Sequence, residues 1–399
     1  MRWTRTLAVA GVIVVAAAVV WRPVAEPRLV KFPAHVDVTM HYAGTASTFV
    51  DASTSAALAT PTVAPLTIDR HIQTMPGGGA HTAVLLETLT ITSGGQVQVE
   101  RNQYVIDRRS MQNVRSPLSW AIDASNVVDR SGTYYVTLPM GTDARKSYDI
   151  WKSEAGTSYP ITDDPSAPTR VAGVSTVGLA GSLAPTRVIP QEEAALAARG
   201  LPVSLSPAQA QARLAAAGVD LGAATRTLAA ALSPAELVQV TKALATPVPL
   251  HYFWEVRGSA AINHTTGALV EIPSADEIVL VQPDLGALAG LGPMLASHAS
   301  APGVATLQRQ LEAVLGASPQ PVYEMSYQET TASAAATAGR VSDQLTQIRV
   351  VRTIVPWGLA TLGVVLLVGA GVTSRRPRRE TPDALPLPAA APARHQRAA

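Results

Sequence analysis

The sequence predicts an α+β protein: a β-rich extracytoplasmic domain with a helical insertion, flanked by two terminal transmembrane helices. Three observations carry this reading. Apolar runs lie near both ends of the chain. Alternation of apolar and polar residues marks strands between them. An alanine-rich stretch in the second half carries two helix-start signatures.

The terminal runs come first. Residues 354–372 carry no charged side chain. About 20 apolar residues, rising 1.5 Å each, cross a bilayer core. Trp357 sits near one end, where an indole favours the headgroup zone, and Arg375, Arg376, Arg378 and Arg379 follow the other. This arginine cluster marks the cytoplasmic side and sets the four side chains against lipid headgroups. The first run, residues 7–21, follows Arg2 and Arg5 and is shorter. It reads as an uncleaved signal anchor. A signal peptide cleaved near Ala16, Ala17 and Ala18 is the alternative. Two spans place both termini in the cytoplasm and the main domain outside the plasma membrane.

Composition supports the same picture. The chain is 47% hydrophobic and only 15% charged, against about 25% charged in soluble domains. Formal net charge is +2 and basic residues cluster only near the C-terminus, which excludes a nucleic-acid groove in the main domain. The absence of cysteine excludes disulfides, thiolate metal sites and cysteine nucleophiles.

Six segments follow along the chain: an anchor at 1–26, β-rich segments at 27–189 and 249–353, an alanine-rich helical insertion at 190–248, a span at 354–374 and a basic, disordered cytoplasmic tail at 375–399. Residues 39–42 read as a strand. At 88–100, Leu89, Ile91, Val97 and Val99 alternate with polar residues around Ser93-Gly94-Gly95, the pattern of a hairpin. Further strands are predicted at 133–138, 147–151, 170–177, 252–256, 268–272 and 322–328. In the insertion, Ser206-Pro207 with Gln209 and Ser233-Pro234 with Glu236 are capping boxes. Helices are also predicted at 303–315 and 332–352.

Catalytic motifs are missing: there is no G-x-S-x-G, H-E-x-x-H, Walker A or G-x-G-x-x-G pattern. The eight histidines are dispersed. No catalytic, cofactor-binding or metal-ligating residue is assigned, and the chain is expected not to be an enzyme. Asp163 and Asp164 are a solvated turn or a weak calcium site. Tyr252, Phe253 and Trp254 form the most aromatic strand, either ordinary core or the wall of an apolar ligand cavity.

Several stretches carry a resemblance: H-Y-A-G-T at 41–45, D-R-S-G-T-Y-Y at 129–135, Leu138-Pro139, K-S-Y-D-I-W at 146–151 and the turn at 263–267. Together they resemble the actinobacterial porin PorA-like family, a membrane-anchored family of unknown function, over most of residues 1–375. The layout is also similar to the scavenger-receptor class B family, which passes lipids through a tunnel in its external domain. The resemblance implies no catalytic residues. The expectation is a double-anchored envelope protein that binds or transfers a lipid-like ligand, with membrane lipids as its other partners and no cofactor. A channel-forming protein is the first alternative and a ligand-free structural protein the second. Two helices enclose no water-filled channel without oligomerising, the second run has no ionisable residue, and neither run contains G-x-x-x-G.

Overall fold

The computed structural model describes residues 2–21, 30–51, 57–135 and 137–374. It contains two compact units: Val30–Ile348, and the chain on either side of that segment. The class is α+β, built on one large, curled antiparallel sheet.

Four strands follow one another as a meander: β1 (Asp37–Val50), β2 (Ala57–Met75), β3 (Thr82–Ser93) and β4 (Gln96–Asp107). Gly94 and Gly95 take φ of 56° and 80°, so the predicted hairpin turns on the two residues that adopt this conformation without strain. Two short strands, β5 (Trp120–Ala121) and β6 (Asp123–Val127), extend that edge. The other arm holds β7 (Tyr148–Lys152), β8 (Thr157–Asp163), β11 (Val177–Arg187), β13 (Val248–Ile262), β14 (Leu269–Pro283) and β15 (Gln320–Glu329). The small pair β9 (Arg170–Val171) and β10 (Val174–Ser175) stands apart, and β12 (Ser204–Leu205) pairs with β13. Sheet order is β6-β5-β4-β3-β2-β1-β15-β14-β13-β11-β8-β7.

The curl brings the two arms together. Ile106 of β4 bridges Asn113, whose N–H donates to the Thr133 carbonyl. Tyr134 then bridges Ile150 of β7: its N–H donates to Asp149, and its carbonyl accepts from Trp151. Residues 133–138, predicted as a strand, contribute only this bridge among their described positions. The segment is a clasp that closes the ring, and it lacks a second strand to continue pairing with.

Polarity follows from the curl. On β1 the outward positions include Asp37, Thr39 and His41, and the inward ones include Met40 and Tyr42. Outside, His41 pairs with Asp69 at 2.6 Å and His71 with Asp37 at 2.8 Å. Inside, Leu66, Ile72, Leu85, Tyr104, Tyr252, Trp254 and Val279 are buried in one main core.

Between β11 and β13 lie helices Pro190–Ala198, Pro207–Ala216, Leu221–Ala231 and Pro234–Ala245. Both predicted capping boxes form: Ser206 with Gln209, and Ser233 with Glu236. Leu228, Leu232, Val240, Leu295 and Val304 give the last two of these helices and helix Val304–Leu315 a separate small core.

Helix Thr331–Arg349 closes the sheet unit, with Ala334, Ala338 and Val341 packed against Ala261 and Val270. A helical stretch runs on through a π turn at Val350–Ile354 to Ser374. Among the described residues, Thr331–Ser374 is the one helix long and apolar enough to cross a membrane, and Thr6–Val20 falls short of that length. In the second unit, helix Arg2–Val20 packs on helix Val355–Ser374 through facing glycines. A Cβ at Gly363 would stand 2.6 Å from Val15, and one at Gly11 would stand 2.8 Å from Leu367. Close helix packing needs one small residue on each side and no G-x-x-x-G repeat.

Candidate functional site

Strand pleating points alternate side chains into the ring. There they surround a cavity of about 210 Å³. β1, β2, β3, β4, β7, β8, β11, β13, β14 and β15 all contribute to its wall. Most of that wall is apolar or aromatic, including Ile68, Leu89, Tyr159, Trp254, Val256 and Met325. A second hollow of about 270 Å³ lies among the helices, lined mainly by alanine and leucine with Asp284 as its charged residue.

A polar centre crosses the first cavity. Lys152 Nζ on β7 donates to Glu277 Oε2 on β14 at 2.5 Å and lies 3.2 Å from Glu154 Oε1. These strands are not neighbours in the sheet, so the pair spans the interior. Trp254 Nε1 donates to Glu277 Oε2 at 2.9 Å, and the Tyr327 hydroxyl to Glu277 Oε1 at 2.8 Å. Lys152 also lies 5.0 Å above the Trp254 ring. Burial disfavours the lysine's charge, but Glu154 and Glu277 outweigh it and hold its pKa well above the ordinary value. Burial likewise opposes the Glu277 charge, yet Lys152 and the three donors keep that carboxyl below its usual range. Burial, then Glu277, raises the Tyr327 phenol.

A second group sits on β2 and β3. Arg70 Nε donates to Glu87 Oε1 at 2.6 Å, and Glu87 is completely buried. Tyr104 donates to the other oxygen of Glu87 at 3.2 Å and stacks on Tyr135 at 4.7 Å. The Arg70 guanidinium lies 4.9 Å over that same Tyr135 ring.

A third group ties helix Pro190–Ala198 to β4. Arg199 Nη2 donates to Glu100 and to Glu192, both at 3.0 Å. Leu196 anchors the same helix in the main core. Two carboxylates thus share one cation. Burial, then Glu154, pushes Glu100 up to about 7. Burial, then Glu100, pushes Glu192 up to about 8.

The aromatic strand is split by its own pleat. Trp254 lines the cavity. Tyr252 is buried in the core away from that wall, and its hydroxyl donates to the Pro202 carbonyl at 2.6 Å. Phe253 points to the opposite side of β13 and is half-buried. Arg375, Arg376, Arg378 and Arg379 lie outside the described residues. Asp164 accepts from Ser166 N and Oγ within its own turn. Among the described residues no group of three or more His, Asp or Glu side chains is placed to hold a metal ion.

Sequence reasoning missed Lys152, Glu154, Glu277, Glu100, Glu192 and Arg199. Lys152 and Glu277 stand 125 positions apart, so no local pattern joins them. The one available signal was a charge inside otherwise apolar strand alternation, as at Glu87 between Leu85 and Leu89.

No match is found among curated proteins. The chain does match the Porin PorA family over residues 4–372, which takes in both terminal helices' described cores and the whole curled sheet. The chain therefore belongs to the Porin PorA family.

Proposed function

We propose that this chain is a non-enzymatic, membrane-anchored binding protein whose ring-shaped sheet receives a lipid-like amphiphile. The observation that carries the reading is the cavity: ten strands wall it with mostly apolar and aromatic side chains around a few buried ion pairs. Such a wall suits a ligand with a compact apolar body and a small polar group. The family and the apolar helix Thr331–Ser374 suggest membrane association. The proposal adds helix Arg2–Val20 as a second anchor, packed on the first through Gly11 and Gly363, with both termini cytoplasmic. Native mass spectrometry of the full chain, released from detergent, is the test. A retained lipid mass, lost when Val256→Trp fills the cavity, is expected. A bare protein mass from lipid-rich preparations overturns the reading.

The family name favours a second reading, a channel. The polarity of the ring speaks against the ring itself as a lipid-embedded pore. A membrane barrel faces lipid with apolar side chains and encloses polar ones, whereas here polar pairs such as His41–Asp69 are outside and the mostly apolar wall is inside. Planar-bilayer recording with the purified full chain separates the two. Reproducible unitary steps favour the channel.

A further inference from the structure

We infer that the cavity selects an amphiphile with a cationic, ammonium-type head, its apolar body lying on the aromatic and aliphatic wall. This rests on the cavity being the ligand site and names the class of ligand it takes.

The charges around the cavity are unequal. Glu100, Glu154 and Glu277 line it beside Arg70, Lys152 and Arg199, and Glu87 and Glu192 stand behind those cations as further carboxylates. Every one of those cations is already engaged: Arg70 by Glu87, Lys152 by Glu154 and Glu277, Arg199 by Glu100 and Glu192. Two further arginines do not change this. Arg130 lies over the Tyr104 ring and donates to the Gln103 and Trp120 carbonyls. Arg257, at the exposed end of the lining, is bound to Glu255. An incoming carboxylate or phosphate would have to displace a buried carboxylate from its cation. An ammonium would displace no carboxylate from its cation.

Two independent observations point the same way. Glu192 is completely buried, and its Oε2 has no partner. It shares Arg199 with Glu100, which lines the cavity. The aromatic walls, moreover, already hold cations on their faces, Lys152 on Trp254 and Arg70 on Tyr135. Ring faces beside carboxylates are the usual surroundings of an ammonium group. A bare metal ion is a poorer fit, since no three-ligand group exists among the described residues.

Proton uptake reports the same shortage of positive charge. Glu100 faces Glu154, Arg199, Lys152 and Glu277, and Glu192 faces Glu100, Arg199, Glu154 and Lys152. Tyr323 of β15 also faces Arg199. Burial first, and then the neighbouring carboxylates, let the two carboxyls retain protons up to about 7 and about 8. A bound ammonium takes the place of a proton there. An alkylamine, like a lysine, stays charged below about pH 10. Its affinity therefore rises with pH, by up to about tenfold per unit for each proton displaced.

Quenching of tryptophan emission provides a direct readout, because Trp151 and Trp254 line the cavity. The full chain in neutral detergent is titrated with n-octylamine, octanoate and octanol at pH 6 and pH 8.5. The expected result is at least tenfold tighter binding of octylamine than of octanoate at pH 8.5, with the gap narrowing at pH 6. The double variant Glu100→Gln, Glu192→Gln should lose that pH dependence and still bind octanol. Octanoate binding as tightly as octylamine overturns the cationic class alone, as does octanol binding with no preference for the amine. Failure of all three probes overturns the cavity as an amphiphile site, and the cationic class with it.

Discussion

Glu277 is the residue on which the interior depends most. It accepts from Lys152, Trp254 and Tyr327 at once. Glu277→Ala would leave the buried ammonium with Glu154 alone and strand two donors, and removing one partner of a buried pair costs up to about 3–5 kcal/mol. Denaturant unfolding of the full chain should show that loss. A cost below about 1 kcal/mol would mean the pair is far better hydrated than its burial implies. Glu100 and Glu192 act in the opposite sense. Their folded pKa values lie above 4.5, at about 7 and about 8. The folded state therefore binds these protons more tightly than the unfolded state, and stability falls as pH rises from about 4.5 to about 8, then levels off. Thermal midpoints across that window should decline, and Glu192→Gln should flatten the decline. At this scale Trp254 was legible because an aromatic cluster is visible in one strand. The ionic centre was not, since its members meet only after ten strands have curled.

Elements were read best where their chemistry is local. Ser206 and Ser233 cap helices in the way their Ser-Pro-x-Gln/Glu spacing demands. Ser233→Ala removes the acceptor for the Glu236 N–H and should cost about 1 kcal/mol, measurable by thermal unfolding. β2 was the main omission. Pro61 and Pro65 disguise it, yet Pro61 falls in a register shift against β1 and Pro65 pairs with β1 alone, since β3 joins from Leu66 onward. A proline is tolerated where its missing N–H would face an open edge. Gly44 shows the tightest contact between strands: a Cβ there would sit 1.9 Å from the Ser326 carbonyl oxygen. Gly44→Ala should therefore split β1 from β15 and destabilise by more than about 3 kcal/mol, with exchange of β15 amides as the readout. The predicted strand at 133–138 failed for a related reason. Tyr134 and Tyr135 have strand propensity, but topology gives them no partner beyond a single bridge.

For the molecule as a whole, the terminal apolar runs and the β-rich domain between them were plain from hydropathy and alternation. Closure of the sheet was not, because curvature and ring order are set by pairings between distant strands. The pairing of the two terminal helices was also hidden, since one glycine on each makes no repeat. Gly363→Leu should lower the thermal midpoint of the full chain in detergent. Gly371→Leu, at a position with open space around it, should leave that midpoint unchanged.

The clasp between Asn113, Thr133 and Tyr134 has a dynamic consequence. Most of the ring is held by long ladders such as that of β3 with β4, whereas the clasp rests on a few backbone hydrogen bonds. Local opening follows the line of least bonding. The ring thus behaves as a sleeve with one weak seam, and its amides on residues 113 and 134 should exchange with solvent sooner than those of the flanking β4 and β7.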